Sequence, residues 1–147
     1  MKMIIMVGIP GSGKSYTARQ LVDNGVILST DDIFNGYTYP SGSGSGVEGG
    51  VPLYLWDRSV LGSAHHINQI KCGQALSRGI SPVIIDNTNL TKKEREPYEK
   101  LAGLFGYSVE IKESDAPWKD DPNECFNRCT HDVPLKTIEE MLNRKCV

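Results

Sequence analysis

The sequence has no surplus of positive charge. Its 16 Lys and Arg are set against 18 Asp and Glu, for a formal net charge of −2. A strongly basic footprint is missing, so any nucleic-acid contact has to come from a local patch. A small-molecule enzyme is equally compatible with this balance. No apolar run approaches the roughly 18 residues of a membrane span, and no signal-peptide pattern is present. A membrane partner is therefore not expected. Cysteine is sparse, and Cys72, Cys125, Cys129 and Cys146 form no CxxC pair. Reduced thiols and an intracellular location, cytoplasmic or nuclear, are expected. Cys125, Cys129 and His131 supply only three ligands in a helical stretch, so packing or solvent-facing thiols are favoured over zinc.

What is present starts with "GIPGSGKS", Gly8 to Ser15, directly after the apolar run Met3 to Val7. Gly, four residues, Gly, Lys, Ser is the spacing of a phosphate-cradling loop between a strand and a helix. Its glycines let backbone N–H groups point at phosphate oxygens, and the helix that follows adds its positive end. Gly11, Ser12, Gly13, Lys14, Ser15 and Tyr16 are the expected ATP-phosphate contacts. Lys14 would reach the outer phosphates, and the Ser15 hydroxyl would take a place on Mg²⁺.

The rest of the chain alternates strand and helix, which predicts a three-layer α/β fold with a parallel sheet, in one domain over residues 1–147. Strands are expected at Met3 to Val7, Val26 to Ser29, Ser81 to Ile85 and Tyr107 to Ile111. Helices are expected at Lys14 to Asn24, Arg58 to Ser77, Glu124 to Cys129 and Leu135 to Arg144. Another starts at a Thr91–Glu94 capping box, with Tyr98, Leu101, Ala102 and Phe105 on one face. "YPSGSGSGVEGGVP", about 39–52, is linker-like and packs no core. It reads as a mobile substrate loop or as an engineered replacement for a longer one.

"PVIIDNTN", Pro82 to Asn89, sets a carboxylate, Asp86, at the end of an apolar strand. That carboxylate either serves the metal, usually through a water, or caps the strand end. Thr88 and Asn89 either touch substrate or form a plain turn. No Asn-Lys-x-Asp guanine reader is present, and Asn87 stands where many ATPases carry a second acidic residue. Transfer to a hydroxyl is favoured over hydrolysis. Such transfer needs a carboxylate at the end of a neighbouring strand, and "STDD" offers Asp31 and Asp32. Asp31 reads as base before helix cap. Asp32 reads as cap before base, and as a candidate substrate contact. Positive charge over the transferred group would come from Arg128, in a lid at about 115–134, with Arg144 and His131 as weaker candidates.

"GIPGSGKS", "STDD", "GISPVIIDNTNL", "APWKDD" and "NRCTHDVPLKTIEEML" together resemble the polynucleotide 5′-hydroxyl kinases. The likeness spans nearly the whole chain outside 37–52. It is closest to the polynucleotide-kinase-like domain of the NEDD-ligase-binding protein family, which "AHHINQ" and "PWK" also resemble. The resemblance implies a sheet of order 2-3-1-4 with a helical lid, and ATP and Mg²⁺ as cofactors. It implies Asp31 as general base and Thr88 and Asn89 at the acceptor nucleotide. It also implies Arg128 as lid arginine and Val133 beside the adenine. The acceptor would be the 5′ end of single-stranded RNA or DNA, and further domains of a larger protein are possible partners. Two positions depart: Phe34 and His131 stand where phage-type enzymes carry arginines. His65 matches a family position and reads as a helix-packing histidine or a substrate contact. A kinase for a small metabolite hydroxyl and a non-catalytic nucleotide-binding module are the alternatives.

Overall fold

The structure is a computed structural model that describes residues 1–35 and 58–147. The Ser/Gly-rich stretch 39–52 lies outside the described residues. In chain order the elements are β1 (Lys2–Val7), α1 (Lys14–Leu21), β2 (Val26–Leu28) and α2 (Asp31–Asn35). A 3₁₀ turn (Arg58–Val60) leads into α3 (Leu61–Ser77), followed by β3 (Val83–Ile85), α4 (Lys92–Leu104), β4 (Ser108–Glu113), α5 (Pro122–Arg128) and α6 (Leu135–Arg144). The four strands form one parallel sheet in the order β2-β3-β1-β4, as the resemblance implied.

β1 is central, and its alternating side chains feed two cores. Met3 and Ile5 pack with Leu28, Cys72, Leu76, Val83, Ile85, Tyr98 and Ala102, on the face covered by α3 and α4. Ile4 and Met6 pack with Ala18 and Ile84, on the face covered by α1. A strand buried on both faces reads as a continuous apolar run, which is why this one was legible. A third cluster, Ile9, Leu90, Cys125 and Ile138, joins α5 and α6 to the loop after β1. Among the described residues no helix is long and apolar enough to cross a membrane. All four cysteines are free thiols, and no group of three or more His, Cys, Asp or Glu among the described residues could hold a metal. Burial in the first core pushes the Cys72 thiol up to about 12, so it is an inert packing group.

Several boundaries differ from the sequence expectation, each for a local reason. α1 ends at Leu21 rather than Asn24, because the chain already turns, with Gly25 N–H donating to Val22 O at 2.6 Å. The helix expected from Glu124 starts at Pro122, because Asp121 caps it by accepting from the N–H groups of Asn123 and Glu124. β4 runs to Glu113 because it pairs with β1 over its full length, Lys2 to Val7. The Thr91–Glu94 capping box is present: Thr91 N–H donates to Glu94 Oε2 at 2.7 Å and Glu94 N–H to Thr91 Oγ1 at 3.4 Å. Phe105 lies past the end of α4 and is exposed, unlike Tyr98 and Ala102.

The C-terminal end is tied down by charge. Lys145 Nζ donates to Glu113 Oε1 at 2.5 Å and also pairs with Asp120, while Lys119 Nζ lies 3.1 Å from the same Glu113 oxygen. Burial would raise the Glu113 pKa, but the hydrogen bonds from Lys145 and Lys119 outweigh it and hold that carboxyl below its ordinary value. Hydrogen bonds from Lys119 and Lys145 lower the Asp120 carboxyl too. Lowered carboxyls contribute stability that is full above the ordinary carboxylate range, about pH 5, and is lost only as pH falls through their lowered folded-state values. Lys145→Met is therefore expected to lower the melting temperature at pH 7 and to close on the parent as pH falls below the ordinary carboxylate range. A deficit of the same size throughout the acid range would assign Lys145 a packing role instead.

Candidate active site

The loop after β1 is tightly constrained by its own backbone and its neighbours. Gly11 and Gly13 adopt φ of +78° and +89°, the left-handed region that favours glycine. A Cβ on Gly11 would lie 2.0 Å from the backbone oxygen of Cys125, so the loop rests directly on the α5 backbone. Gly11→Ala is expected to destabilise the fold by on the order of 2 kcal/mol and to weaken ATP binding at least about tenfold. Gly62→Ala, with nothing within 4 Å of the added methyl, is the control and should be neutral or slightly stabilising. Denaturant midpoints and ATP titrations check both.

Lys14 and Ser15 open α1 beneath this loop. Lys14 is buried, and its Nζ donates to Ile9 O at 3.0 Å. Burial pushes its ammonium pKa below the ordinary lysine value, against the opposing pull of Asp86 and then Asp31. Both carboxylates therefore act on the same cation from the carboxyl edge of the sheet. Ser15 Oγ donates to Asp86 Oδ2 at 2.6 Å. The other carboxylate oxygen, Oδ1, is buried and has no hydrogen-bond partner among the described residues. A buried, unpaired carboxylate oxygen beside a serine hydroxyl is the donor set of a hard divalent cation, so Ser15 and Asp86 fit Mg²⁺.

Asp31 and Asp32 are the first two residues of α2, so neither is the residue before the helix that a cap reading requires. Asp31 Oδ2 lies 3.6 Å from Nδ1 of His131, an ion-pair distance when the imidazole is protonated. The segment after α5, expected from the sequence to be a lid, thus reaches the candidate base through His131. Desolvation raises the Asp32 pKa, and Lys71 opposes that rise.

Other expected site residues are used differently. Asn89 is 3% exposed, and its Nδ2 donates to Met6 O at 2.8 Å. Its amide ties strand ends together, at a left-handed φ of 46°, and does not reach outward to an acceptor. Thr88 lends its carbonyl to Gly8 N–H at 3.0 Å, which leaves its half-buried side chain uncommitted by that bond. Arg95, which a basic groove could have used, is buried with Nη1 donating to Asn89 O at 2.9 Å. Phe34 is buried. His65 is not buried in a helix interface: it is exposed, and its Nδ1 lies 3.3 Å from Thr30 Oγ1. Val133 packs partly against the third core cluster, and Tyr16 is exposed beside the loop.

Arg128 is engaged by its own helix and by the segment before it. Its Nε donates to Glu124 Oε1 at 2.7 Å, and its guanidinium lies 3.7 Å from the centroid of the Trp118 ring. Trp118 in turn donates its indole N–H to Gly11 O at 3.2 Å. In the sequence Trp118 stands out only as part of the APWKDD motif. A tryptophan in a polar run is the local signal of a ring that needs an acceptor elsewhere in the fold.

Comparison with known proteins agrees with this geometry. Over 143 residues the chain is 41% identical to NEDD4-binding protein 2 of Homo sapiens, covering 95% of this chain and 7% of that protein. The chain thus spans only a small part of that relative's length. It superimposes on a chain of the Pnkp1/Rnl/Hen1 RNA repair complex with a TM-score of 0.68 at 20% identity, covering 97% of this chain and 43% of that one. A gluconokinase from Sinorhizobium meliloti 1021 matches with a TM-score of 0.57 at 17% identity, over 99% of this chain and 75% of that one. Likeness at these identities establishes a P-loop kinase fold and leaves the acceptor to the site's own chemistry. The family profile described as an AAA domain, AAA_33, matches residues 3–144, which include the phosphate loop and all four strands, and the chain belongs to that family.

Proposed function

We propose that the chain transfers the γ-phosphate of ATP to the 5′-hydroxyl of a polynucleotide. The observation that carries this reading is the meeting, at one sheet edge, of Lys14, the Ser15–Asp86 pair and Asp31, with His131 of the lid against Asp31. ATP binding alone needs the first three and no second carboxylate. A base at the neighbouring strand end suits a hydroxyl acceptor.

In this reading the loop N–H groups from Gly11 to Tyr16 hold the phosphates, and Lys14 leaves Ile9 O for their outer oxygens. Mg²⁺, held by Ser15 and Asp86, would supply charge neutralisation across the outer phosphates. Asp31 takes the proton of the 5′-hydroxyl as that oxygen bonds to the γ-phosphorus. The bond from the γ-phosphorus to the β–γ bridging oxygen breaks, and ADP leaves. Arg128 then serves the transferred group once the lid closes. Its ion pair with Glu124 is exposed, and such a pair is worth only about 0–1 kcal/mol, so releasing it costs little. A chain of the RNA repair complex and a gluconokinase both share the fold, so the fold admits a nucleic-acid acceptor without selecting one.

The second reading, a kinase for a small hydroxyl compound, is favoured by the net charge of −2 and by the burial of Phe34 and Arg95. Labelled γ-phosphate transfer from ATP with Mg²⁺ decides between them. Single-stranded RNA and DNA with 5′-hydroxyls would be offered beside sugar acids and nucleosides. Label on an oligonucleotide supports the first reading, and label on small compounds alone overturns it in favour of the second.

A further inference from the structure

Between β2 and β3 the backbone ladder ends with Asp86 N–H donating to Leu28 O at 2.9 Å. One step further the tie continues through a side chain: Thr30 N–H donates to Asn87 Oδ1 at 2.8 Å. Thr30 immediately precedes Asp31, and Asn87 immediately follows Asp86. Asn87 is itself oriented from behind. Its Nδ2 donates to the Tyr98 hydroxyl at 3.4 Å, and the same hydroxyl accepts from Asn68 Nδ2 at 3.0 Å. Tyr98 and Asn68 are 1% and 0% exposed, so this polar network sits inside the fold. Thr30 is held a second time, where its Oγ1 meets His65 Nδ1.

We infer that Asn87 is a positioning residue, which fixes the segment bearing Asp31 relative to the Ser15–Asp86 pair. This inference rests on the proposed role of Asp31 as base. An amide suits the task where a carboxylate does not. Asn87 has to accept from Thr30 and donate to Tyr98 in one planar group, which an amide does without a charge while an ionised carboxylate can only accept. A carboxylate there would also add negative charge beside Asp86 and Asp31. The departure noted in the sequence, Asn87 in the place of a second acidic residue, thereby acquires a physical reason. Buried networks of this kind act cooperatively, and a reacting group displaced by about 1 Å loses on the order of 10²-fold in rate.

The test compares the parent chain with Asn87→Ala and Asn87→Asp by two readouts. One is amide hydrogen exchange at Thr30, with β1 amides as the folding control. The other is kcat against KM for ATP in oligonucleotide phosphorylation. Asn87→Ala is expected to speed Thr30 exchange at least about tenfold with β1 unchanged. It should lower kcat about 10- to 100-fold while KM for ATP stays within about twofold. Asn87→Asp keeps an acceptor for Thr30 but loses the donor to Tyr98, so its Thr30 exchange should lie between the parent and Asn87→Ala. Unchanged Thr30 exchange in Asn87→Ala, equal loss of protection in both variants, or a rise in KM with kcat intact would each overturn the assignment. A parent chain that labels no oligonucleotide would overturn the kinase reading separately, and Thr30 exchange would still decide whether Asn87 holds that segment.

Discussion

Lys14→Met is expected to lower phosphate transfer by about 10³-fold while the fold persists. The loss follows from removing a cation placed between the loop and two carboxylates, where preorganised charge in a water-excluded site is worth about 10²–10³-fold or more. Methionine keeps most of the aliphatic stem, so the packing around α1 survives. Stability should not fall. Burial has already pushed the Lys14 pKa down, so carrying the charge into the fold is a cost that methionine avoids. The sign in pH follows directly. Between the lowered folded value and the ordinary lysine value the unfolded chain binds more protons, so parent stability gains from this group as pH rises through that window. Lys14→Met should lack that gain. Transfer assays and melts from pH 7 to 10 check both parts. Retention of a tenth or more of the activity would remove Lys14 from the mechanism.

Asp31→Ala is expected to cost about 10²–10⁴-fold in transfer, the range for losing a general base, with ATP affinity within about threefold of the parent. Asp31 is 46% exposed at the sheet edge, and the Ser15–Asp86 hydrogen bond forms without it. As a first-turn acid of α2 it also favours that helix end, so a stability loss of about 0.5 kcal/mol should accompany the change. That small loss separates the two roles. A variant that loses ATP affinity and transfer in equal proportion would make Asp31 a structural residue of α2. Single-turnover transfer beside equilibrium ATP titration reads the difference.

The features legible along the chain are those governed by near neighbours. The apolar run of β1 needs both faces buried, and the loop that follows is written in glycines whose backbone few other residues can adopt. The Thr91–Glu94 capping box and α6, observed at the expected Leu135–Arg144, satisfy their own termini or show their own periodicity within a few residues. Even the start of α5 was written locally, in Asp121 followed by Pro122. Alternation of such elements is enough to require a parallel sheet, since each crossover returns the chain to the same edge.

The use made of each polar side chain was decided by packing. Asn89 and Arg95 look like free polar groups in the sequence, and the fold spends both on backbone carbonyls that burial would otherwise leave unpaired. Trp118 meets Gly11 across 107 residues of chain, and Asn87 meets Thr30 across 57. His131, a position where the family resemblance leads one to expect an arginine, lies against Asp31 instead. No periodicity encodes such pairs, because a hydrogen bond forms wherever folding leaves a donor facing an acceptor away from water. Local geometry sets the elements. Only the assembled sheet, with its helices docked, brings the chemistry of four separate segments to one edge.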